Sequence, residues 1–303
     1  MNDPSASRWL ATDDGLRRVR VAPRRNERPS DYEAPRDARC PFCLGAEADT
    51  PPELDRIGAG QGEHDGDGGW LARVVPNRYP AFEAPDGEHE VIVESPRHTE
   101  RFTDLTPAEA TAAVRMWARR LAHWRDTPRY GYQLVFKNEG PAAGASLAHT
   151  HTQVVALPDR PTTPQPTLPA GELVVLESVG FVVGAATAPR FAYETTVYAA
   201  DATHDFASLA DDTTAASDLA TLLRATITAV RSASGVDAYN LMVHLTPDGD
   251  SAWRIDIAPR SAVAAGFELA TGLWINTTPP ETAAERVRAA WPNGVATGHT
   301  NRA

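Results

Sequence analysis

One ordered pattern, a helix followed by two strands, occurs twice in this chain and limits the folds it can adopt. In the first copy, LTPAEATAAVRMWARRLAHWRD has apolar residues at helical spacing, and GYQLVFKNEG and TQVVALPD are rich in strand-forming residues. About one hundred residues later, DLATLLRATITAVRSASG, DAYNLMVHLTP and WRIDIAPR return in the same order. The repeat predicts an α+β protein of two duplicated halves, each an antiparallel sheet with helices packed on one face.

The segment between the two copies predicts where the halves divide. PDRPTTPQPTLPAG contains five prolines between Pro158 and Pro169, a composition typical of an extended linker. We therefore expect an N-terminal half over residues 1–160, a linker over residues 161–171 and a C-terminal half over residues 172–303.

The first helix has clear signals at its start and along its buried face. Thr106 is placed to act as N-cap, Pro107 occupies the first helical position, and Glu109 completes a capping box. In the second copy, Gly235 is placed to end the corresponding helix. The apolar stripe of the first helix consists of Val114, Trp117, Leu121 and Trp124.

Composition excludes several classes of protein. Hydrophobic content of 42% and charged content of 23% are those of a globular protein, and no run of apolar residues could cross a bilayer. The opening MNDPSASRWL has no signal-peptide pattern, so we expect a cytoplasmic protein that does not bind membranes. A formal charge of −11 argues against nucleic acid as a partner but leaves an anionic small substrate open.

Two histidines and a glutamine alternate along the last strand of the first copy. His149, His151 and Gln153 are two residues apart, so an extended strand directs all three to one face. The simplest alternative is a pair of surface histidines on an edge strand. Aligning the two copies at their final prolines places Asp250 and Ala252 opposite the two histidines. Because a scaffold role would be expected in both copies, the difference favours a chemical role.

The only two cysteines form a C-x-x-C motif in RCPFCLG. Cys40 and Cys43 supply two of the four ligands that a structural zinc site needs, so two more must come from elsewhere. His98 is the better donor because it lies at a strand-to-helix junction, whereas His64 and His89 lie in acidic, loop-like stretches. A redox dithiol or a pair of buried thiols remains an alternative at this point.

Taken together and in order, six segments resemble the galactose-1-phosphate uridylyltransferase family, a branch of the histidine triad superfamily. The segments are VRVAPRRNERP, CPFCLG, RVVPNRYPAF, HEVIVESPRH, NEGPAAGASLAHTHTQ and IDIAPRSAVAAGFELATGLWIN. The resemblance covers most of the chain and implies that each half has a histidine-triad-like fold. It also implies a homodimer.

The resemblance assigns a role to each candidate site residue. It implies a structural zinc ion, Zn²⁺, bound by Cys40, Cys43, His98 and His149, with His151 as the nucleophile and Gln153 as the residue that holds the transferred phosphoryl group. The implied substrate contacts are Arg25, Arg28, Asn138 and Ser146 at the phosphates, Asn77 on the nucleoside side and Glu268 at the sugar.

The implied function is nucleotidyl transfer by a ping-pong mechanism. His151 would take a nucleoside monophosphate from a nucleotide sugar such as UDP-glucose and pass it to a sugar 1-phosphate, as in galactose metabolism. Two alternatives stay open: an ADP-glucose or dinucleoside polyphosphate phosphorylase that uses inorganic phosphate, and a nucleotide-binding protein without turnover.

Two departures from the family pattern narrow what it implies. Arg254 and Asp256 stand where some members have a second histidine metal site, so we expect no second metal. Trp274 replaces a sugar-binding glutamine, which leaves the sugar open.

Overall fold

The computed structural model describes residues 7–11, 18–28, 30, 32, 39–58, 69–162, 167–178, 180–200, 205–245 and 253–292. Within these residues the strands are β1 Arg8–Ala11, β2 Arg18–Val21, β3 Asp55–Gly58, β4 Trp70–Pro76, β5 Glu88–Val93, β6 Tyr132–Glu139, β7 His151–Leu157, β8 Val174–Ser178, β9 Phe181–Ala185, β10 Thr195–Ala199, β11 Tyr239–Leu245 and β12 Trp253–Pro259. The helices are α1 Pro107–Arg125, α2 Thr213–Ser234, α3 Gly266–Thr271 and α4 Pro280–Ala289.

Ten of the strands form one antiparallel sheet in the order β3-β4-β5-β7-β6-β11-β12-β10-β9-β8. Counted inward from its two edges, the sheet has matching halves, β3-β4-β5-β7-β6 and β8-β9-β10-β12-β11. The halves join where β6 pairs with β11, with Asn138 opposite Asn240. The predicted α+β class is confirmed, but the halves share one continuous sheet because each covers the other's open strand edge.

Helix α1 begins and helix α2 ends at the residues that the sequence indicates. The Thr106 hydroxyl accepts a hydrogen bond from the Glu109 backbone N–H at 3.2 Å, and the Glu109 carboxylate accepts one from the Thr106 N–H at 2.7 Å. Gly235 ends α2 with φ of 68°, a left-handed conformation that glycine adopts without strain.

The main core lies between the sheet and one layer of helices. Val114, Trp117 and Leu121 of α1 are buried, as the predicted stripe requires, and they pack with α2 and with sheet residues such as Val135 and Val154. Every second residue of β7 therefore faces the helices. The residues between them, His151 and Gln153 among them, face the other side of the sheet, where the site is built.

None of the described helices has the length and apolar content that a membrane crossing requires. Asp250 and Ala252, the predicted counterparts of the two histidines, lie outside the described residues. The strand β12 that follows them carries an ion cluster, in which the Asp256 carboxylate lies 3.1 Å from Arg254 Nε and 3.3 Å from His244 Nε2.

Candidate active site

Four side chains from three parts of the chain converge on one point beside the end of β5. The ligand atoms of Cys40, Cys43, His98 and His149 all lie within 4.8 Å of one another. Cys40 Sγ is 3.5 Å from His149 Nδ1, and Cys43 Sγ is 3.5 Å from His98 Nδ1. Tetrahedral zinc sites hold such atoms about 3.3–3.8 Å apart, so this arrangement fits a metal ion bound by two thiolates and two imidazoles.

Backbone contacts hold the ligands in place. The Leu44 N–H donates to the Pro96 carbonyl at 2.9 Å, which ties the cysteine turn to the segment that carries His98. His149 is fully buried, and its Nε2–H donates to the Ser95 carbonyl at 2.9 Å. That bond leaves His149 Nδ1 as the metal-facing nitrogen. The Ser95 carbonyl thus orients the ligand, as carbonyls commonly do at histidine metal sites.

His151 is the first residue of β7, and its two ring nitrogens have different surroundings. Nδ1–H donates to the His149 backbone carbonyl at 2.8 Å, which leaves an unprotonated Nε2 on a ring that lines the pocket. Burial, reinforced by the nearby Lys137 ammonium, lowers the pKa of His151 to about 4. The imidazole is therefore neutral near pH 7, and its Nε2 lone pair is available.

Phe42, between the two cysteines, connects the metal ligands to His151. Its ring lies 5.9 Å from the ring of His149 and 5.6 Å from that of His151, both edge-on. The two histidines therefore lie on one side of the chain, as the alternation predicts, although the paired strand begins only at His151.

A buried ion pair supports β7 from the helix side of the sheet. Lys137 Nζ donates to Glu94 Oε2 at 2.6 Å, to Thr150 Oγ1 at 2.7 Å and to the His151 carbonyl at 3.0 Å. The Thr152 hydroxyl donates to the same carboxylate. Burial opposes ionisation of Glu94, but Lys137 and the threonine hydroxyls outweigh it and lower its pKa.

The pocket beside His151 has an apolar wall and a polar end. Phe42, Val75, Val91 and Leu147 form much of the apolar wall, which suits a flat ring such as a nucleobase. His151, Gln153 and Asn77 are polar residues of the same lining. Further lining residues are Arg28, Pro41, Asp49, Thr50, Pro51, Pro76, Arg78, Tyr79, Gly144, Ala145 and Ser146.

The polar end contains two cations and a loop of small residues. Arg25, Arg28 and Ser146 line one cleft with Gly144, and Arg28 Nη2 donates to the Gly144 carbonyl at 3.3 Å. Neither arginine has an ion pair with a carboxylate in the part of the chain described. Burial lowers the pKa of both guanidiniums because it disfavours their charged form. An anion bound between them would offset this cost. Gly144 has φ of 86°, which lets the loop turn its backbone toward the cleft.

Two predicted contacts, Asn138 and Glu268, line neither the pocket nor this cleft. Asn138 lies on β6, where its Oδ1 accepts from Asn240 Nδ2 at 2.8 Å; the same Asn240 nitrogen donates to the Ala143 carbonyl of the loop. Glu268 lies on the exposed helix α3, where its carboxylate accepts from the Ala265 N–H at 3.0 Å. Within one chain, the structure does not bring Glu268 to His151.

Three residues that support the site could not be recognised from sequence patterns alone. Phe42 is hidden inside the cysteine motif, and Lys137 looks like an ordinary surface residue of an alternating strand. The prediction that His89 lies in a loop-like stretch is wrong: it is the second residue of β5, it is 6% exposed, and its Nε2 lies 3.0 Å from Gln153 Oε1. Its position on a strand that ends near His98 was the available signal.

Comparisons with known proteins point to one family. Residues 75–161 match the family described as galactose-1-phosphate uridyl transferase, N-terminal domain. The chain is 29% identical to an ADP-glucose phosphorylase of Arabidopsis thaliana, over 94% of this chain and 91% of that protein. It is 28% identical to a galactose-1-phosphate uridylyltransferase of Streptomyces lividans, over 45% of this chain and 34% of that protein.

A solved structure shows the same similarity in three dimensions. It is the crystal structure of an ADP-glucose phosphorylase from Arabidopsis thaliana with bound ADP-glucose, and it aligns with a TM-score of 0.72 at 27% identity. The alignment covers 93% of this chain and 98% of that chain, so it includes both halves of the sheet.

Removing one ligand should abolish metal binding. We expect one tightly bound metal ion per chain in the purified protein and none in Cys43→Ser, with a lower melting temperature, because the ion ties the cysteine turn to β7. Elemental analysis and thermal unfolding measure both quantities, and His123→Asn, at an exposed position on α1, is the control. Unchanged melting after metal removal, or a Cys40–Cys43 disulfide in the native protein, would contradict the assignment.

Breaking the buried ion pair should destabilise the fold. Lys137→Met leaves the Glu94 carboxylate buried without its cation, so the free energy of unfolding should fall by about 3–5 kcal/mol in urea titrations. The control is Arg24→Met, which removes an exposed pair with Glu83 and should change stability by less than about 1 kcal/mol. Equal effects from the two variants would show that the buried pair has no special structural role.

Proposed function

We propose that this chain is a member of the galactose-1-phosphate uridylyltransferase family, which it resembles in sequence, and that it transfers a nucleoside monophosphate from a sugar nucleotide through a covalent bond to His151. The observation that carries this proposal is the fixed ring of His151. Its Nδ1–H is bound to the His149 carbonyl, so the unprotonated nitrogen is the one on the side of the pocket. A protein that only binds nucleotides does not need an imidazole held in this state.

In the first half-reaction, His151 Nε2 attacks the α-phosphorus of the sugar nucleotide. The P–N bond forms while the bond from that phosphorus to the bridging oxygen breaks, and the sugar 1-phosphate leaves with the bond's electrons. In the second half-reaction, a phosphate oxygen of the acceptor attacks the same phosphorus, and the P–N bond breaks to restore the neutral imidazole. Each step replaces one bond to phosphorus by another, so no oxidant or general acid is required.

The polar end of the pocket supplies the charge that these steps need. Negative charge spreads over the phosphoryl oxygens as bonds change, and Arg25 and Arg28 line the same cleft, where both guanidiniums could approach these oxygens. Gln153, two residues after His151 on the same face of β7, offers an amide N–H to one of these oxygens. Ser146 and the backbone of residues 144–146 provide further donors, and Asn138 acts on the same loop through Asn240.

We assign the metal to zinc and give it a structural role. Two cysteines and two histidines would supply all four ligands of a tetrahedral zinc ion and leave no place for substrate, which is the pattern of structural zinc sites. When bound, zinc would hold the cysteine turn and Phe42 against β7. Cys40 and Cys43 are not joined in a disulfide, and their use as zinc ligands supports a reducing, cytoplasmic location.

For the substrates we propose ADP-glucose and inorganic phosphate as the first pair. The similarity to an ADP-glucose phosphorylase runs through both halves of the chain, whereas the similarity to a galactose-1-phosphate uridylyltransferase covers less than half of it. UDP-glucose with a hexose 1-phosphate is the second candidate, because the matched family domain contains the histidine strand. Both pairs use the same covalent chemistry at His151.

The assembly that we propose is a homodimer of two-part chains. Six large apolar side chains after β12 are exposed, and a second copy is the partner that would cover them: Val263, Phe267, Leu269, Leu273, Trp274 and Ile275. In such a dimer, Glu268 would lie near the boundary between the two subunits. A contact between Glu268 and the sugar would then involve the partner subunit. Sedimentation equilibrium tests this, and a monomer at micromolar concentration would rule it out.

A substrate panel tests the proposed function. With ADP-glucose and phosphate, we expect glucose 1-phosphate and ADP to form with parallel double-reciprocal lines, because the first product leaves before the acceptor binds. The panel also contains UDP-glucose with galactose 1-phosphate, diadenosine polyphosphates with phosphate, and each donor alone. Intersecting lines would contradict a covalent intermediate, and no turnover with any pair would favour a binding protein.

A further inference from the structure

His89 is a buried histidine beside the reacting groups, and the mechanism above gives it no role. It lies on β5 with its ring near those of Phe82 and Phe136, at 6.5 and 6.3 Å. Its imidazole has three polar neighbours. The Ala81 backbone N–H lies 3.0 Å from Nδ1, and Nε2 lies 3.0 Å from Gln153 Oε1 and 3.2 Å from Asn77 Nδ2.

The backbone fixes the protonation of this ring. The Ala81 N–H can only donate, so Nδ1 must accept, and a neutral ring then carries its proton on Nε2. Burial lowers the pKa of His89 to about 4, which keeps the ring neutral near pH 7. The opposite tautomer would press two N–H groups together at Ala81. Asn77 Nδ2 is also a donor, since the Asn77 Oδ1 accepts from the Tyr79 N–H at 2.9 Å. A protonated Nε2 has no lone pair to offer it, so the 3.2 Å approach of these two nitrogens is not a hydrogen bond, and Gln153 Oε1 is the acceptor.

This assignment determines which way the Gln153 amide points. The Nε2–H of His89 requires an acceptor, so the oxygen of the Gln153 amide turns toward β5 and its NH₂ group turns away from it. Gln153 lines the pocket beside His151, and its Nε2 has no hydrogen-bond partner within the described ranges. A flipped amide would present an oxygen to the phosphoryl group, and two electron-rich oxygens repel.

We propose that His89 is a positioning residue that holds the Gln153 amide with its NH₂ group toward the phosphoryl oxygens. The consequence for the reaction rests on the proposed function, whereas the hydrogen bond itself does not. His89 lies 64 positions before Gln153 in the chain, and it decides whether the Gln153 amide donates to the phosphoryl group or accepts from it.

The first experiment tests the hydrogen bond without any substrate. In protein with ¹⁵N-labelled histidine, NMR spectra should show His89 with its proton on Nε2, assigned by the signal that His89→Gln removes. A proton on Nδ1 would overturn the proposal. This result does not depend on whether the protein has the proposed activity.

The second experiment is a double-mutant cycle on single-turnover release of sugar 1-phosphate from the donor that wild type uses. His89→Leu should slow release about tenfold or more in wild type but by less than about twofold in Gln153→Ala, because the amide is then absent. His89→Gln, whose Nε2 can replace the imidazole donor, should restore most of the rate. His123→Leu, on the exposed surface of α1, is the control for loss of a histidine.

The outcomes separate the two claims. Equal slowing by His89→Leu in both backgrounds would overturn positioning through Gln153 and indicate general damage, which thermal unfolding would report. A wild-type protein that releases no sugar 1-phosphate from any donor would overturn the proposed function, and the NMR result would then decide the inference alone.

Discussion

The hydrogen bond from His151 Nδ1–H to the His149 carbonyl is the contact on which the site depends, because it decides which nitrogen faces the pocket. Three supports hold the short segment that makes it. The other three predicted metal ligands surround the His149 ring on one side. Lys137 binds the His151 carbonyl from the other face of the sheet, and Phe42 packs against both histidine rings. The reactive nitrogen is thereby positioned before substrate arrives, and this is how a rigid strand contributes to catalysis.

The second half of the sheet has the same order of strands but different chemistry. Where β7 carries His151 and Gln153, which line the pocket, β12 carries Arg254 and Asp256, and Asp256 pairs with both Arg254 and His244. In this cluster the Asp256 carboxylate has a cation, a histidine and the Thr196 hydroxyl as partners. The second half still acts on the site, because Asn240 of β11 binds both Asn138 and the small-residue loop.

Local patterns explain which parts of this structure could be predicted from sequence. A capping box, a C-x-x-C motif and a period of two each involve residues that are close in the chain, so Thr106, Cys43 and the common side of His149 and His151 were within reach. The Lys137–Glu94 and His89–Gln153 contacts join residues 43 and 64 positions apart, and their pairing follows from strand register. Residue types do not encode that register directly. The joining of the two halves into one sheet also depends on strand pairing, so it could not be predicted for the same reason.

The central claim is that His151 forms a covalent bond to the nucleotide, and mass spectrometry of the intact protein tests it most directly. After incubation with ADP-glucose or UDP-glucose and no acceptor, the protein should gain the mass of one nucleoside monophosphate. The added mass should map to the peptide that contains His151, be lost in acid and be absent from His151→Asn. An unchanged mass with every donor that the protein turns over, or a label on another residue, would contradict the account.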